Sequence, residues 1–229
     1  MPLKSIFLSG YSGRMGQELR KIVDNSVDSS VSIGGGFSKN DQFGLDKGND
    51  LVIDFSLPSA IEKIVEACRS HNMPLLSGTT GFTEDQFLKL KELSSEVPVF
   101  WSSNMSLGVY LFHQLIKVFA QAKKSDIQFS IHEIHHTKKI DQPSGTAISL
   151  AQTAEGAGLK IGNITSDREG EVPGTHFFHG ELGDSEVLTI IHEAKNRSLF
   201  AQGALKVGHW LVDQPPGFYK MADFVSSLK

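Results

Sequence analysis

The sequence predicts an α/β fold: a parallel, doubly wound sheet comes first, and an α+β domain with a mixed or open sheet follows. Three observations carry this. Over the first hundred residues, short continuous apolar runs alternate with helical patterns, which is the signature of strands buried on both faces between helices. A glycine-rich turn joins the first such run to the first helix. Beyond Asn104 the runs lengthen and alternate apolar with polar residues, as strands do when one face packs and the other meets solvent.

In chain order, LKSIFLSG reads as a strand, GRMGQELRKIVDN as a helix and SSVSIGGGFS as a strand. DLVIDFS and MPLLSG are strands separated by the helix PSAIEKIVEACRSH, whose lone Cys68 falls on its packing face. TEDQFLKLKELSSE is a helix capped by Thr83 with Gln86 three residues on, the spacing of a capping box. VPVFWSS closes the series. LGVYLFHQLIKVFAQA is a long helix with apolar residues around most of its circumference, so it is buried or at an interface. DIQFSIHEIHH, GTHFFHGELGD and SEVLTIIHEA read as strands, and SLFAQGALKVGHWLVD is the last helix, stopped by QPPG. The change of pattern at residues 104–107 marks a hinge. The predicted domains are residues 1–106 with 198–229 for the first, and 107–197 for the second.

Composition excludes several partners. A net charge of −4 gives no reason to expect nucleic acid or anionic lipid. A single cysteine leaves no internal disulfide and suits a reducing compartment. No apolar run approaches the roughly 18 residues of a membrane span, and the chain opens directly into a strand pattern without a signal peptide. A cytoplasmic protein is expected.

The loop GYSGRMG, Gly10 to Gly16, follows a strand and opens a helix, the context of a dinucleotide fingerprint. Gly10 permits the tight turn, Gly13 a close approach to a pyrophosphate, and Gly16 helix–sheet packing. Ser12 stands where the usual pattern has its second glycine. The second strand ends in Phe37, Ser38, Lys39 and Asn40. A hydroxyl and a lysine suit a ribose 2′-phosphate better than the bare 2′-hydroxyl that a carboxylate would grip. GTTGF, from Gly78, ends another strand, where ligand crevices of open sheets lie.

HEIHH, from His132 to His136, matches the H-E-x-x-H pattern of zinc peptidases, which needs a helix. Here Ile127, Phe129 and Ile131 alternate with period two. On a strand, four residues span about 13 Å, too far for His132 and His136 to share one ion. No metal is expected. His135, His136, Lys138 and Lys139 instead gather protonatable and positive groups where a strand gives way to a loop. PSGTAISLAQTA then starts a helix, with Ser144 or a neighbour as cap. The N–H groups of Gly145 and Thr146 form an anion site at that N-terminus. A helix end for one carboxylate, lysines for another and a titratable histidine together describe a site for a small dicarboxylate.

GYSGRMG, VIDFS, GTTGF, SSNMSLGV, EIHHTKKIDQPSGTA and VPGTH, in this order over residues 3–215, resemble the 4-hydroxy-tetrahydrodipicolinate reductase (dihydrodipicolinate reductase) family. The resemblance implies NAD(P)H-dependent reduction of 4-hydroxy-tetrahydrodipicolinate in lysine and diaminopimelate biosynthesis. It also implies a Rossmann-like nucleotide domain beside a substrate domain, and a homotetramer, with a dimer as the alternative, built by the second domain's sheets. His135 resembles the catalytic histidine and Lys139 the proton donor. His136, Ser144, Gly145 and Thr146 resemble contacts to the substrate carboxylates. Gly10, Tyr11, Ser12, Gly13, Arg14, Met15, Ser38, Lys39, Gly78, Thr79, Thr80, Ser102, Ser103, Asn104 and Met105 resemble contacts to the cofactor. The acid of members that use NADH well is Ser38 here, which implies NADPH as the preferred cofactor and NADH as the second. Gln142 replaces the usual alanine before proline, and the connections near 40–50 and 160–170 are compact. The glycine loop alone also fits another NAD(P)-dependent oxidoreductase of a small carboxylic acid, or a nucleotide sensor without chemistry. The histidine–lysine cluster separates these readings from the first.

Overall fold

The computed structural model describes residues 3–26, 30–38, 44–45, 48–121 and 127–228. They form two compact units, one joining Met1–Met105 to Ser198–Lys229 and the other spanning Ser106–Arg197. The first unit is a wholly parallel sheet of β1 (Ser5–Ser9), β2 (Ser32–Phe37), β3 (Leu51–Asp54), β4 (Leu75–Ser77), β5 (Pro98–Trp101) and a late strand, β10 (Gly217–Tyr219). Their order is β10-β5-β4-β3-β1-β2.

Every residue of β3 is buried, as the apolar run of Leu51, Val52 and Ile53 predicts for a central strand; each of these three side chains contributes about 1.5–3 kcal/mol. On one face, α2 (Ile61–His71) and α3 (Glu84–Leu93) cover Phe7, Val52, Leu75 and Val99. Cys68 lies in that core, and burial pushes its thiol pKa up, so it packs as a small apolar group. Thr83 and Gln86 form the predicted reciprocal cap of α3. The other face carries α6 (Ser198–Leu211), which contacts β3, β4 and β5 and packs beside α1 (Arg14–Asp24). Gly208 lets α6 approach closely, since a Cβ there would meet Leu51 at 2.7 Å.

The chain passes from β1 to β2 on one side and then crosses to β3 on the other. The order therefore reverses at the C-terminal ends of β1 and β3, where open parallel sheets bind ligands.

The second unit is a mixed sheet in the order β7-β6-β8-β9. Its strands are β6 (Ile127–His135), β7 (Ile161–Arg168), β8 (Thr175–Leu182) and β9 (Glu186–Glu193). β6 and β7 are parallel, joined through α5 (Gly145–Gly156), while β8 and β9 form an antiparallel hairpin. α4 (Leu107–Ala120) and α5 cover Phe129, Ile131 and Phe178 on one face.

Three elements go beyond the sequence reading. β7 lies where a compact connection was expected; its residues, IGNITSDR, are mostly polar and it forms an edge. β10 and α7 (Met221–Ser226) follow the expected stop at QPPG. β10 is a three-residue edge strand directly after two prolines, too short for a periodicity signal.

Candidate active site

At the switch point of the first unit, Gly10 holds φ +85°, and a Cβ there would lie 2.3 Å from the Phe55 carbonyl oxygen. Only glycine fits that turn. Gly16 is equally constrained, with Gly10 and Tyr11 carbonyls 2.4 and 2.6 Å from a built Cβ. Gly13 is the N-cap of α1 and has no side chain to cap it, so the first N–H groups of the helix face outward as an anion site. A cavity of about 330 Å³ opens here, lined by Gly10, Ser12, Gly13, Ser38, Phe55 and Lys63 among others. That size suits part of a dinucleotide.

The other expected cofactor residues serve varied local roles. Ser38 accepts a hydrogen bond from the Ser12 N–H at 3.0 Å, tying the loop to the end of β2. The Tyr11 ring lies against Gly36, with the Arg20 guanidinium 4.1 Å above it. Arg14 is exposed and Met15 half-buried at the start of α1. Gly78 packs against the Phe55 ring. Thr79 is buried, accepting from the Ser56 N–H and the Trp101 indole, and Thr80 beside it is exposed. Ser102 and Asn104 close a turn after β5, with Ser103 exposed in it and Met105 buried. Lys39 lies outside the described residues. Asp54, buried at the end of β3, was not singled out from sequence; it accepts from Ser56 and Ser77 and fixes the two strand ends that floor the cavity.

In the second unit His135, His176, Ser144 and Arg168 meet at one carboxylate, Glu133. HEIHH is strand until His135, as its period-two pattern predicts. His132 faces Thr165 and Asp167 on the open side, so the helical zinc geometry does not arise. Glu133 and His135 sit two residues apart on the helix-covered face, and Glu133 pairs across the sheet with His176 of β8. His176 in turn pairs with His192 of β9. Glu133 is fully buried. One of its oxygens accepts from the Ser144 N–H at 2.9 Å and lies 3.6 Å from Arg168. The other lies 3.5 Å from His135 Nδ1 and 3.7 Å from His176 Nε2.

Ser144 is the N-cap of α5, accepting from the Ala147 N–H, and its hydroxyl lies 3.3 Å from His176 Nε2. Glu133 thus fixes the helix whose first residues, Gly145 and Thr146, present their N–H groups. Gly145 is exposed and Thr146 half-buried. Lys139 is ion-paired with Asp141 at 2.7 Å and Lys138 with Glu171 at 3.1 Å. His136 is buried at the end of β6. Arg168 donates to the carbonyls of Lys139 and Asp141, holding that loop against β7. Gln142 donates to the Ser166 carbonyl, so the residue that replaces alanine anchors the same loop. Gly174 lies against His135, whose Nε2 would be 2.8 Å from a Cβ there.

Burial pushes the His135 pKa down, Glu133 opposes this, and Lys139 and Arg168 add to it. Burial likewise lowers His176, to about 4. Burial works to raise Glu133, but the bonds from Ser144 and Ser166 and the nearby imidazole hold it below the usual range. Near neutral pH the cluster is therefore a carboxylate with two neutral imidazoles. Glu133, Arg168 and His176 were not singled out from sequence. The glutamate's place in the E-x-H-H block was the only signal available.

Family models described as "Dihydrodipicolinate reductase, N-terminus" and "Dihydrodipicolinate reductase, C-terminus" match residues 4–105 and 108–225. The chain is 39% identical over 244 residues to 4-hydroxy-tetrahydrodipicolinate reductase of Rickettsia bellii, covering 98% of this chain and 95% of that protein. It is 38% identical to the enzyme of the same name from Bdellovibrio bacteriovorus, covering 95% and 94%. Among solved structures, a dipicolinate-bound dihydrodipicolinate reductase from a Paenisporosarcina species superposes with a TM-score of 0.75 at 20% identity, covering 96% of this chain and 98% of that one.

The buried neutral imidazole of His176 predicts acid sensitivity. Its folded pKa, about 4, lies below the 6.5 of a free histidine. As pH falls through 6.5 the unfolded chain takes up the proton first, so stability drops until about pH 4, by at most about 3 kcal/mol. Glu133, held low, adds a further loss below its own unfolded pKa. Denaturation midpoints measured between neutral and acid pH should fall less steeply in His176→Gln than in the wild type. Parallel curves would show that His176 titrates normally.

Proposed function

The chain belongs to the dihydrodipicolinate reductase family, and on that premise we propose that it reduces 4-hydroxy-tetrahydrodipicolinate to tetrahydrodipicolinate in lysine and diaminopimelate biosynthesis. The observation that carries this is the meeting of His135 and Ser144 of the E-x-H-H-x-x-K-x-D-x-P-S-G-T-A block on that block's own buried carboxylate, Glu133. The second unit then serves as the substrate domain and the first as the nucleotide domain. The family uses a nicotinamide cofactor, and the cradle fits one: a glycine-only turn, an uncapped helix N-terminus and an adjoining cavity.

The bound dihydronicotinamide supplies the hydride that adds to the conjugated imine left after the substrate's hydroxyl departs as water. The chain's own residues supply position, charge and the proton. One substrate carboxylate is held by the Gly145 and Thr146 N–H groups at the start of α5, strengthened by the helix dipole. His136 binds the same dicarboxylate from the end of β6. Lys139 Nζ stabilises the negative charge that develops and donates the proton; Asp141 orients it. His135, neutral and buried with its Nδ1 3.5 Å from the Glu133 carboxylate, aligns the reacting ring. No metal enters this chemistry, and the substrate is the only small dicarboxylate the site needs.

NADPH is the preferred cofactor and NADH the second. Ser38, not a carboxylate, directly follows β2, and Lys63 is the one charged residue lining the cavity among the described residues. A 2′-phosphate therefore meets a hydroxyl and positive charge, to which Lys39 adds a charge-assisted bond.

The protein self-associates, as a tetramer with a dimer as the alternative. Leu107, Leu111, Leu115 and Val118 form an exposed stripe along α4, and Val187 and Ile191 are exposed on edge strand β9. Its location is the cytoplasm, consistent with the lone buried thiol of Cys68.

Turnover of NADPH with freshly generated substrate tests the activity. His135→Ala and Lys139→Ala should each lose at least about a hundredfold. His136→Ala should weaken substrate more than NADPH. Near-normal rates in all three would sink the residue assignment. For the cofactor, Lys39→Glu should raise the Michaelis constant for NADPH about tenfold and leave NADH nearly untouched; an equal loss for both would refute the 2′-phosphate role. Sedimentation of the wild type should give an oligomer, and Ile191→Glu should lower its mass. A monomeric wild type would contradict self-association.

A further inference from the structure

We infer that Glu133, His135 and His176 form a three-ligand site for a divalent d-block cation such as Zn²⁺, and that its occupancy inhibits the reductase. The inhibitory part rests on the role proposed above for His135; the binding part does not.

The geometry comes from the sheet. Residues two apart on a strand share a face, and Glu133 and His135 do so on β6. The cross-strand partner of Glu133 on neighbouring β8 is His176, which brings a third donor to the same face. One donor atom from each of the three lies within 4.8 Å of the others. Glu133 Oε2 is 3.5 Å from His135 Nδ1 and 3.7 Å from His176 Nε2. A tetrahedral zinc with bonds near 2 Å would set its ligand atoms about 3.3 Å apart. The two carboxylate–imidazole separations need to shrink only by a few tenths of an ångström, and the two imidazole nitrogens, within 4.8 Å of each other, close on the ion by side-chain rotation.

The chemistry also fits. All three side chains are at least nine-tenths buried. Among the described residues, Glu133 Oε2 and His135 Nδ1 make no hydrogen bond although both are buried. Buried polar atoms are seldom left so, and two of them facing each other at 3.5 Å are suited to share an ion. The second carboxylate oxygen of Glu133 is already oriented by the Ser144 N–H, as metal-binding carboxylates are by outer-shell partners. Two neutral imidazoles and one carboxylate are the donor set of open zinc sites, with a fourth position left for water or a substrate carboxylate. Positive charge from Arg168, 3.6 Å from the other Glu133 oxygen, and from Lys139 opposes the cation. This makes a metal that bonds nitrogen strongly, such as Zn²⁺, Co²⁺ or Ni²⁺, a better occupant than Mg²⁺ or Ca²⁺. The peptidase-like letters HEIHH thus contribute a metal ligand pair after all, but a different one, Glu133 with His135.

The experiment titrates the chelator-treated full chain with Co²⁺, without substrate or cofactor, following the visible bands of four-coordinate cobalt and the heat of Zn²⁺ binding. One equivalent per chain is expected. Glu133→Gln, which keeps the acceptor for Ser144, and His176→Ala should each weaken binding at least about a hundredfold. Zn²⁺ should inhibit NADPH turnover in the wild type, reversibly by chelator, and far less in His176→Ala, each rate compared with that protein's own metal-free rate. Absence of stoichiometric cobalt binding by the wild type overturns the site, whatever the variants do. So does wild-type affinity in both variants. Tight binding without inhibition would keep the metal site and count against His135 acting in catalysis. Turnover that is lost on chelation and restored by Zn²⁺ would overturn the inhibitory part, whereas no turnover with or without metal would count against the reductase reading alone.

Discussion

The buried carboxylate of Glu133 is the interaction on which the second unit depends. A charge with no solvent contact is costly unless paired and hydrogen-bonded. Here Ser144 donates from the start of α5, Arg168 approaches from β7, and His135 and His176 stand on either side. Those partners come from four elements, so the carboxylate ties the start of α5 to β6 and brings Arg168 and two imidazoles to one charge. Removing it would leave the Ser144 N–H without its acceptor and Arg168 without the nearby anion, while the apolar cluster of Phe129, Ile131 and Phe178 makes no use of that charge.

The helix-covered face of the second sheet is accordingly divided along its length. At one end Phe129 and Phe178 stack, with ring centroids 5.2 Å apart, and Phe119 meets both edge-on. Further along the same strand the inward positions become Glu133 and His135. The apolar end holds the strands and helices together, and the polar end lies where α5 begins with free N–H groups. The first unit follows the same logic with different means. Its sheet is apolar through β3 and β4, and its polar groups, Asp54, Ser77 and Thr79, appear at the strand ends beside the glycine turn.

Much of this was legible in the sequence because it is local. β3 announces itself as an apolar run, the cap of α3 as Thr83 and Gln86, and β6 as strict alternation from Ile127. The alternation also settled that HEIHH is not helical. The start of α5 was legible in the same way, with Ser144 of PSGTA as its cap. β7 was not, since an edge strand built from IGNITSDR buries too little to show a period. β10 is short and follows prolines. His176 joins Glu133 only through strand pairing, across 43 positions of sequence, the difference between their numbers. No spacing rule reaches that far. The resemblance supplied His135 and Ser144 among the carboxylate's partners but not Arg168 or His176.

The convergence of donors at Glu133 has a cost on the stability side. His135 and His176 are both pushed toward the neutral form by burial, so each resists protonation that free histidine would accept. A core built only for stability would place apolar side chains at these positions. The folded unit instead keeps a carboxylate and two imidazoles dry, and offsets them with the apolar cluster farther along the same strands. An imidazole kept neutral and fixed can orient a ring and leave proton donation to Lys139, whose ammonium is held by Asp141 at the rim. The same neutrality leaves nitrogen lone pairs available. Preorganisation for the reaction and susceptibility to a cation therefore follow from one arrangement, because the lone pairs that burial keeps unprotonated are the ones a metal requires.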